Sequence, residues 1–369
     1  MADGTAGPMI RRTDLLVVGG GIAGLSTALA AAARQLRVLV VDDARPGAAS
    51  AAAAGMLAPS LEGLAPDVQA IAMDARDAYP DFLARLRERT SIDVALDRNG
   101  ILELASSASE LAVLAARAGP AAQLLDGRGL AAFEPAFAGH AGAVLHPNDG
   151  SVDNVALMRA LDHAVAREPR IDRISDRIVS LRFDAMPATA SSASGVHVEC
   201  AHVLLASGAW ASDLPGLPRT LPVRPVRGQL LLLDGAPIGH VTYGAGGYLV
   251  PRGQTLLVGA TSEESGFSNL TSDAGRDELL GIARRAIPAL RQSSVLRHWA
   301  GLRPVSPDGL PILGADPDVP ALFYACGFSR NGILLAPWAA AHLAGLICGN
   351  RSSSSLAPFS LTRFPGSTK

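Results

Sequence analysis

Cysteine, aromatic residues and net charge are all scarce in this 369-residue chain: three cysteines, aromatics at 4%, and a formal net charge of -2. Cys200, Cys326 and Cys348 are odd in number and lack CxxC spacing, which excludes a disulfide framework and a cysteine-based zinc site. They read as reduced core thiols of a cytoplasmic protein. With charged residues at 18% there is no basic stripe for nucleic acid. An uninterrupted membrane span is also missing. Arg11 and Arg12 precede an apolar run, as in a twin-arginine export signal, but Asp14 interrupts the join and three glycines break the run. "NGILLAPWAAAHLAGLICGN", 331–350, is uncharged over twenty residues and has the bare length of a span. Pro337, His342 and its glycines favour a buried helix behind a loop.

What is present is a nucleotide-binding beginning. "DLLVVGG" reads as a buried strand, "GGGIAGLSTALAAAARQ" as a turn into a helix, and "LRVLVVDD" as a second buried strand. Gly19, Gly21 and Gly24 satisfy G-x-G-x-x-G at the strand-to-helix turn, and Asp42 closes the second strand. Gly19 permits the tight turn, Gly21 lets the backbone approach a pyrophosphate, and Gly24 lets the helix lie close on the strand. The helix start supplies N–H groups and a positive dipole end to phosphates, and Asp42 would accept from ribose hydroxyls. The unit alone does not separate NAD from FAD.

Beyond it, "SAAAAGMLAP", Ser50 to Pro59, offers no acid, base, thiol or metal ligand. "PDVQAIAMDARDAYPDFLARLRER" has helical periodicity, and "SASELAVLAARAG" and "NVALMRALDHAVAR" read as further helices. "GILELA", "RIVSLRF" and "VHVECAHVLLASGAW" read as strands, with Ser191 to Gly195 a hairpin or exposed loop. "VRGQLLLLDG", "GGYLVPRG" and "QTLLVGAT" suggest a largely antiparallel second sheet. From "GLRPVSPDGLPILG" the chain returns towards the nucleotide. The expected fold is mixed α/β and α+β, with a Rossmann-like unit interleaved with a second domain.

The order and spacing of the βαβ start, "SAAAAGMLAP", "GGYLVPRG", "GLRPVSPDGLPILG" and "CGFSRNGILLAP" resemble the glycine oxidases of the thiamine pathway. These sit within the D-amino-acid oxidase and sarcosine oxidase superfamily of FAD enzymes. The resemblance spans about residues 14 to 350, and "AAGMLAP" and "RNGILLAP" are its most specific strings. It implies an FAD-binding domain from 1–62, 148–217 and 298–369, and a substrate domain from 63–147 and 218–297. The FAD-binding set it implies is Gly19, Gly21, Ile22, Ala23, Gly24, Asp42, Ser50, Ala54, Gly55, Met56, Ile178, Ser207 and Gly208, joined by Arg330, Asn331, Gly332, Ile333 and Leu334. The reactive atom is then flavin N5, and the protein supplies position and electrostatics instead of a nucleophile. Met56 would lie near the ring, although simple core filling also explains it.

Arg303 in "GLRP" matches the family's carboxylate-binding arginine, whose planar fork suits a carboxylate. From sequence alone it could equally be a surface salt-bridge residue. Tyr248 in "GGYLVP" matches the tyrosine that adds a second hydrogen bond, its alternative being a tyrosine packed on the core. Arg330 in "FSRNG" aligns with an arginine whose main-chain carbonyl accepts from the substrate amine. Asn331 to Leu334 would aim N–H groups at the flavin pyrimidine edge, though Asn-Gly is also an ordinary turn. The implied reaction is oxidative deamination of glycine or a similar small amino acid by hydride transfer to FAD, with molecular oxygen as acceptor and hydrogen peroxide as product. No side-chain base is required, and His342 reads as a core residue.

Two departures narrow the resemblance. The histidine-aromatic pair before the RNG arginine is replaced by Phe328 and Ser329, and Leu61 stands where a smaller residue is expected. Ser306 in "GLRPVSPDG" and the lack of histidine in "SAAAAGM" predict non-covalent FAD. The alternatives are a dehydrogenase with a non-oxygen acceptor, an oxidase of sarcosine, proline or a D-amino acid, an NAD enzyme, and a silent binding module. The resemblance also implies a homo-oligomer.

Overall fold

The computed structural model describes residues 10–350 and 354–364. Two eight-stranded sheets and one small three-stranded sheet carry the architecture. In the first sheet, strand β1 (Ile10–Val18) lies parallel to β2 (Val38–Asp42) on one side and to His197–Leu205 on the other. Ile171–Ser175 pairs with β2, and Leu322–Cys326 pairs parallel with His197–Leu205. Parallel strands buried on both faces need continuous apolar runs, which "LLVV" and "VLVV" supply.

Helix α1 (Ile22–Ala32) connects β1 to β2 and is buried on nearly every face. Its alanines and glycine let it lie against the last α-helix of the described chain, Gly332–Ile347, which is apolar apart from His342. Together with Asn154–Arg167 and the helices of residues 66–90 they cover one face of the first sheet. The opposite face is packed by Leu16, Leu39, Val203, Tyr324, Cys200 and Cys326, among others.

The second sheet runs in the order Val295–Val305, Arg224–Asp234, Thr255–Gly259, Gly247–Arg252, Val241–Gly244, Ile101–Ala105, Gly142–His146, Gln123–Asp126. All its pairings are antiparallel except Val241–Gly244 with Ile101–Ala105. Successive side chains point to opposite faces. Leu231, Leu233, Leu249, Leu256 and Val258 therefore pack on helix Asp273–Ala286, whereas Leu230, Val250 and Leu257 face the other way with Tyr243, Tyr248 and Trp299.

Several sequence expectations are corrected. The long helical stretch after Pro59 is two helices, Pro66–Asp77 and Tyr79–Thr90, because Pro80 lacks the N–H that would continue the first. Ser191 and Ser192 end a strand, Ala188–Ser192, that small residues had hidden, and only the residues after them form the turn. Cys348 is exposed at the end of its helix, unlike the buried Cys200 and Cys326. Arg11 and Arg12 belong to β1. No helix among the described residues is long and apolar enough to cross a membrane.

A buried ion pair ties the first of the two helices to the segment after Pro59. Arg76 donates to Asp149 at 2.8 Å, and the Asp149 carboxylate also accepts from Ser60 N–H at 3.1 Å and Ser60 Oγ at 3.2 Å. Burial pushes the Asp149 carboxyl up in pKa, opposed by Arg76 and Ser60. Arg76→Met leaves this fully buried carboxylate without its cation, which should cost about 3 to 5 kcal/mol in urea unfolding. Arg76→Met with Asp149→Asn should recover part of that loss.

Candidate active site

β1 ends beside the strand His197–Leu205, and the chain turns through Gly19, Gly20 and Gly21 into α1. At Gly19 φ is +111°, and a Cβ would stand 2.4 Å from the Ala206 carbonyl oxygen. The turn therefore requires glycine. It opens onto a cavity of about 950 Å³ whose walls come from both large sheets. Gly19, Gly21, Ile22, Ala23 and Asp42 line it at the βαβ end, and Ile178, Ser207 and Gly208 line it from neighbouring strand ends. The buried Ser207 hydroxyl has no partner among the described residues. A buried polar atom without a partner calls for one beyond these residues. With the glycine turn and the helix start, it fits a dinucleotide.

Ser50, Ala54, Gly55 and Met56 form another stretch of wall. The Ile22 N–H donates to Ser50 Oγ at 3.1 Å, which fastens this wall to the start of α1. Its carbonyls are held by three outside donors. Asn154 Nδ2 donates to Ser50 O at 3.0 Å, Trp299 Nε1 to Ala52 O at 3.0 Å, and Arg252 Nη2 to Ala54 O at 2.6 Å. Asn331, Gly332 and Ile333 line the cavity where the last helix begins.

Two residues named from the sequence stand off the lining. Leu334 is 1% exposed and packs into the helix-side core, because helical spacing turns it away from its neighbours. Gly24 lies within α1 against the Gly19 carbonyl and Val17, where it serves close helix-to-strand packing. Leu61 is likewise outside the lining and packs with Met56, Tyr243 and Tyr248.

At the other end of the cavity the second sheet presents Arg303 and Tyr248. Arg303 Nη1 donates to Thr261 O at 3.0 Å and Arg227 O at 3.4 Å. No carboxylate among the described residues is paired with it, and burial pulls its pKa down, with Tyr248 opposing. Burial pushes the Tyr248 hydroxyl up to about 12, so it remains a donor across the working pH range. Both side chains lie across glycines. A Cβ on Gly228 would stand 2.4 Å from Arg303 Nη2, and one on Gly259 2.2 Å from the Tyr248 ring.

Arg330 is half exposed, donates to the Tyr243 hydroxyl at 3.0 Å and lies 3.4 Å from Glu62. Burial raises the Glu62 pKa, opposed by Arg330 and an Asn331 hydrogen bond. Sequence reasoning missed Glu62 and Tyr243, which no motif marks. It also missed Gly228 and Gly259, whose strand positions opposite the site could have flagged them. Phe328 is buried, and Ser329 has φ of +51°. His342 lies away from the cavity, its Nδ1 2.9 Å from Trp338 O. The lining among the described residues contains neither cysteine nor histidine.

Residues 14–346 match the family model described as "DAO: FAD dependent oxidoreductase". The chain belongs to this family. It is 34% identical to the glycine oxidase of Geobacillus kaustophilus over 97% of this chain and 99% of that one. The bifunctional protein ThiO/ThiG of Trichormus variabilis is 32% identical, matching 95% of this chain and 55% of its own length. The crystal structure of the Geobacillus kaustophilus glycine oxidase superposes with a TM-score of 0.91 at 33% identity, covering 96% of this chain and 100% of that chain. As a member of the family, the chain is an FAD-dependent oxidoreductase.

A Cβ at Gly21 would touch only Ser50 Oγ, at 3.2 Å. Gly21→Val should therefore fold, with an unchanged circular dichroism spectrum, yet lose FAD on gel filtration. A yellow variant would remove Gly21 from the cofactor contact.

Proposed function

We propose that this chain catalyses the oxidative deamination of glycine or another small amino acid, with non-covalent FAD and molecular oxygen as acceptor. The observation that carries the reading is the Arg303 guanidinium, half-buried in the cavity wall without a carboxylate partner among the described residues. A desolvated guanidinium of this kind favours an incoming carboxylate, which its planar fork can hold bidentately. Tyr248 adds a hydroxyl donor from the adjoining strands, and Gly228 and Gly259 leave room for both side chains to lie flat.

In this reading the segments 1–62, 148–217 and 298–369 hold the cofactor, and 63–147 with 218–297 complete the substrate side. The Gly19–Gly21 turn, Ile22 and Ala23 take the pyrophosphate, Asp42 a ribose, and Ser207, Gly208 and Ile178 the remaining nucleotide contacts. Ser50, Ala54, Gly55 and Met56 wall the ring, and Asn331 to Ile333 face its pyrimidine edge. FAD, when bound, supplies the electron-pair acceptor for the substrate Cα–H. Arg303 and Tyr248 hold the carboxylate, so that the Cα position is set by two donors on a rigid sheet. The Arg330 carbonyl accepts from the amine, and Glu62, 3.4 Å from the Arg330 guanidinium, offsets part of the positive charge at this end of the cavity. The imine product then hydrolyses to the 2-oxo acid and ammonia, and oxygen is reduced to hydrogen peroxide. Ser306 donates to Leu310 O at 2.6 Å and offers no thiol for a covalent flavin link. The buried unpaired thiols of Cys200 and Cys326 support a reducing, cytoplasmic setting.

The test is an anaerobic absorbance titration with glycine, sarcosine, proline and D-alanine, followed by air. Bleaching by glycine with recovery and peroxide is the expected result. Bleaching by a different one of the four reassigns the substrate, bleaching without recovery reassigns the acceptor, and indifference to all four overturns the small-amino-acid reading. Arg303→Ala should keep its flavin and raise KM by roughly 30-fold or more, since losing a desolvated charge partner costs about 2 to 5 kcal/mol. Unchanged steady-state kinetics would remove Arg303 from the substrate site.

A further inference from the structure

The last helix begins at the cavity with Asn331, Gly332 and Ile333, yet it contains a proline one turn later, Pro337. Proline has no N–H, and its ring crowds the carbonyl four residues back. That carbonyl belongs to Ile333, a residue of the cavity lining. It is taken instead by the Tyr79 hydroxyl, which donates to Ile333 O from a different helix. Tyr79 is the first residue of Tyr79–Thr90, is 1% exposed, and its ring meets Phe82 edge-on at 6.0 Å between centroids. It does not line the cavity. Burial raises its pKa, so the phenol keeps its proton and donates at any pH the enzyme meets.

We propose that Tyr79 is a positioning residue for the cofactor: by taking the carbonyl that Pro337 orphans, it fixes the N-terminal turn of the last helix against the cavity. The proposal rests on the reading that this turn faces the flavin pyrimidine edge. The first N–H groups of a helix have no intrahelical acceptors and carry its positive dipole end. Their distance from the cofactor sets how far they stabilise the negative charge that reduction places there, and that interaction weakens steeply beyond the first turn. A turn anchored at one carbonyl from outside the helix holds its N–H groups in one place. Without the anchor the buried Ile333 carbonyl is unpaired, and the turn must shift to find a donor. Pro337 is what makes the external anchor necessary.

The experiment is a double-mutant cycle on the FAD-loaded protein, with Tyr79→Phe, Pro337→Ala and the two combined. The readouts are the flavin midpoint potential and the FAD dissociation constant. Tyr79→Phe keeps the ring and the packing. It should lower the potential and weaken FAD binding several-fold. In the Pro337→Ala background, residue 337 regains an N–H for Ile333 O, so the same change should have a much smaller effect on both. Equal effects in the two backgrounds, or a lower melting temperature with an unmoved potential, would overturn the proposal and leave Tyr79 a packing residue. Should Tyr79→Phe alone fail to fold, recovery of fold and potential in the double variant supports the anchor, and its failure overturns it. A wild-type protein that takes up no FAD is distinguishable from all of these, and overturns the cofactor reading along with the proposal.

Discussion

Residues Ser50 to Gly55 carry almost no side chain, so their backbone is held by others. Asn154, Trp299 and Arg252 donate to alternate carbonyls of this wall, those of Ser50, Ala52 and Ala54, and Ser50 accepts from the start of α1. Asn154 comes from a helix on the first sheet, while Trp299 and Arg252 come from strands of the second. The wall is thus the point where the two halves of the fold are fastened together. A small-residue wall lets a planar ligand lie against backbone, and its dependence on distant donors is the structural cost of that smoothness. Ser60, shortly beyond it, is fixed in the same way through Asp149 and Arg76.

The two ends of the cavity use different physics. At the βαβ end the backbone and short side chains such as Ser50 and Ser207 approach closely, and the charged groups, Asp42 among them, stand at the ends of the neighbouring strands. At the sheet end charge dominates: Arg303 without an acid, and Arg330 beside Glu62 and Tyr243. A buried guanidinium without a counter-ion is unstable unless something else stabilises it. Here two carbonyl oxygens, of Thr261 and Arg227, do so in part. They are weak enough partners to be supplemented by a carboxylate and strong enough to hold the group ready.

The parts of this arrangement that were legible in the sequence are those where backbone geometry dictates residue type. Gly19, Gly21 and Gly24 announce a turn, an approach and a packed helix because no other residue satisfies all three. The apolar runs of β1 and β2 announce a sheet buried on both faces. Arg303, Tyr248 and Arg330 were legible only through resemblance, since an arginine before a proline has no intrinsic spacing signal. Glu62 and Tyr243 were not legible, because their importance arises from contact with Arg330 across the fold. Strand Ala188–Ser192 stayed hidden because four of its five residues are alanine or serine, which carry little strand preference of their own, and pairing with His197–Leu205 decides their conformation. The Leu334 side chain turns into the core and away from the lining, a consequence of helical rotation that a motif does not display.

The alternation along the second sheet separates two tasks by parity. Leu231, Leu233, Leu249 and Val258 cement the sheet to its helix, while Leu230, Val250, Tyr248 and Leu257 lie on the opposite face, from which Leu230 and Tyr248 line the cavity. Residues adjacent in the chain therefore answer to different selective pressures, one set to foldability and the other to the shape of the molecule admitted. A lineage can recut the chamber at every second position without disturbing the mortar behind it, which makes this sheet a ready surface for acquiring new amine substrates.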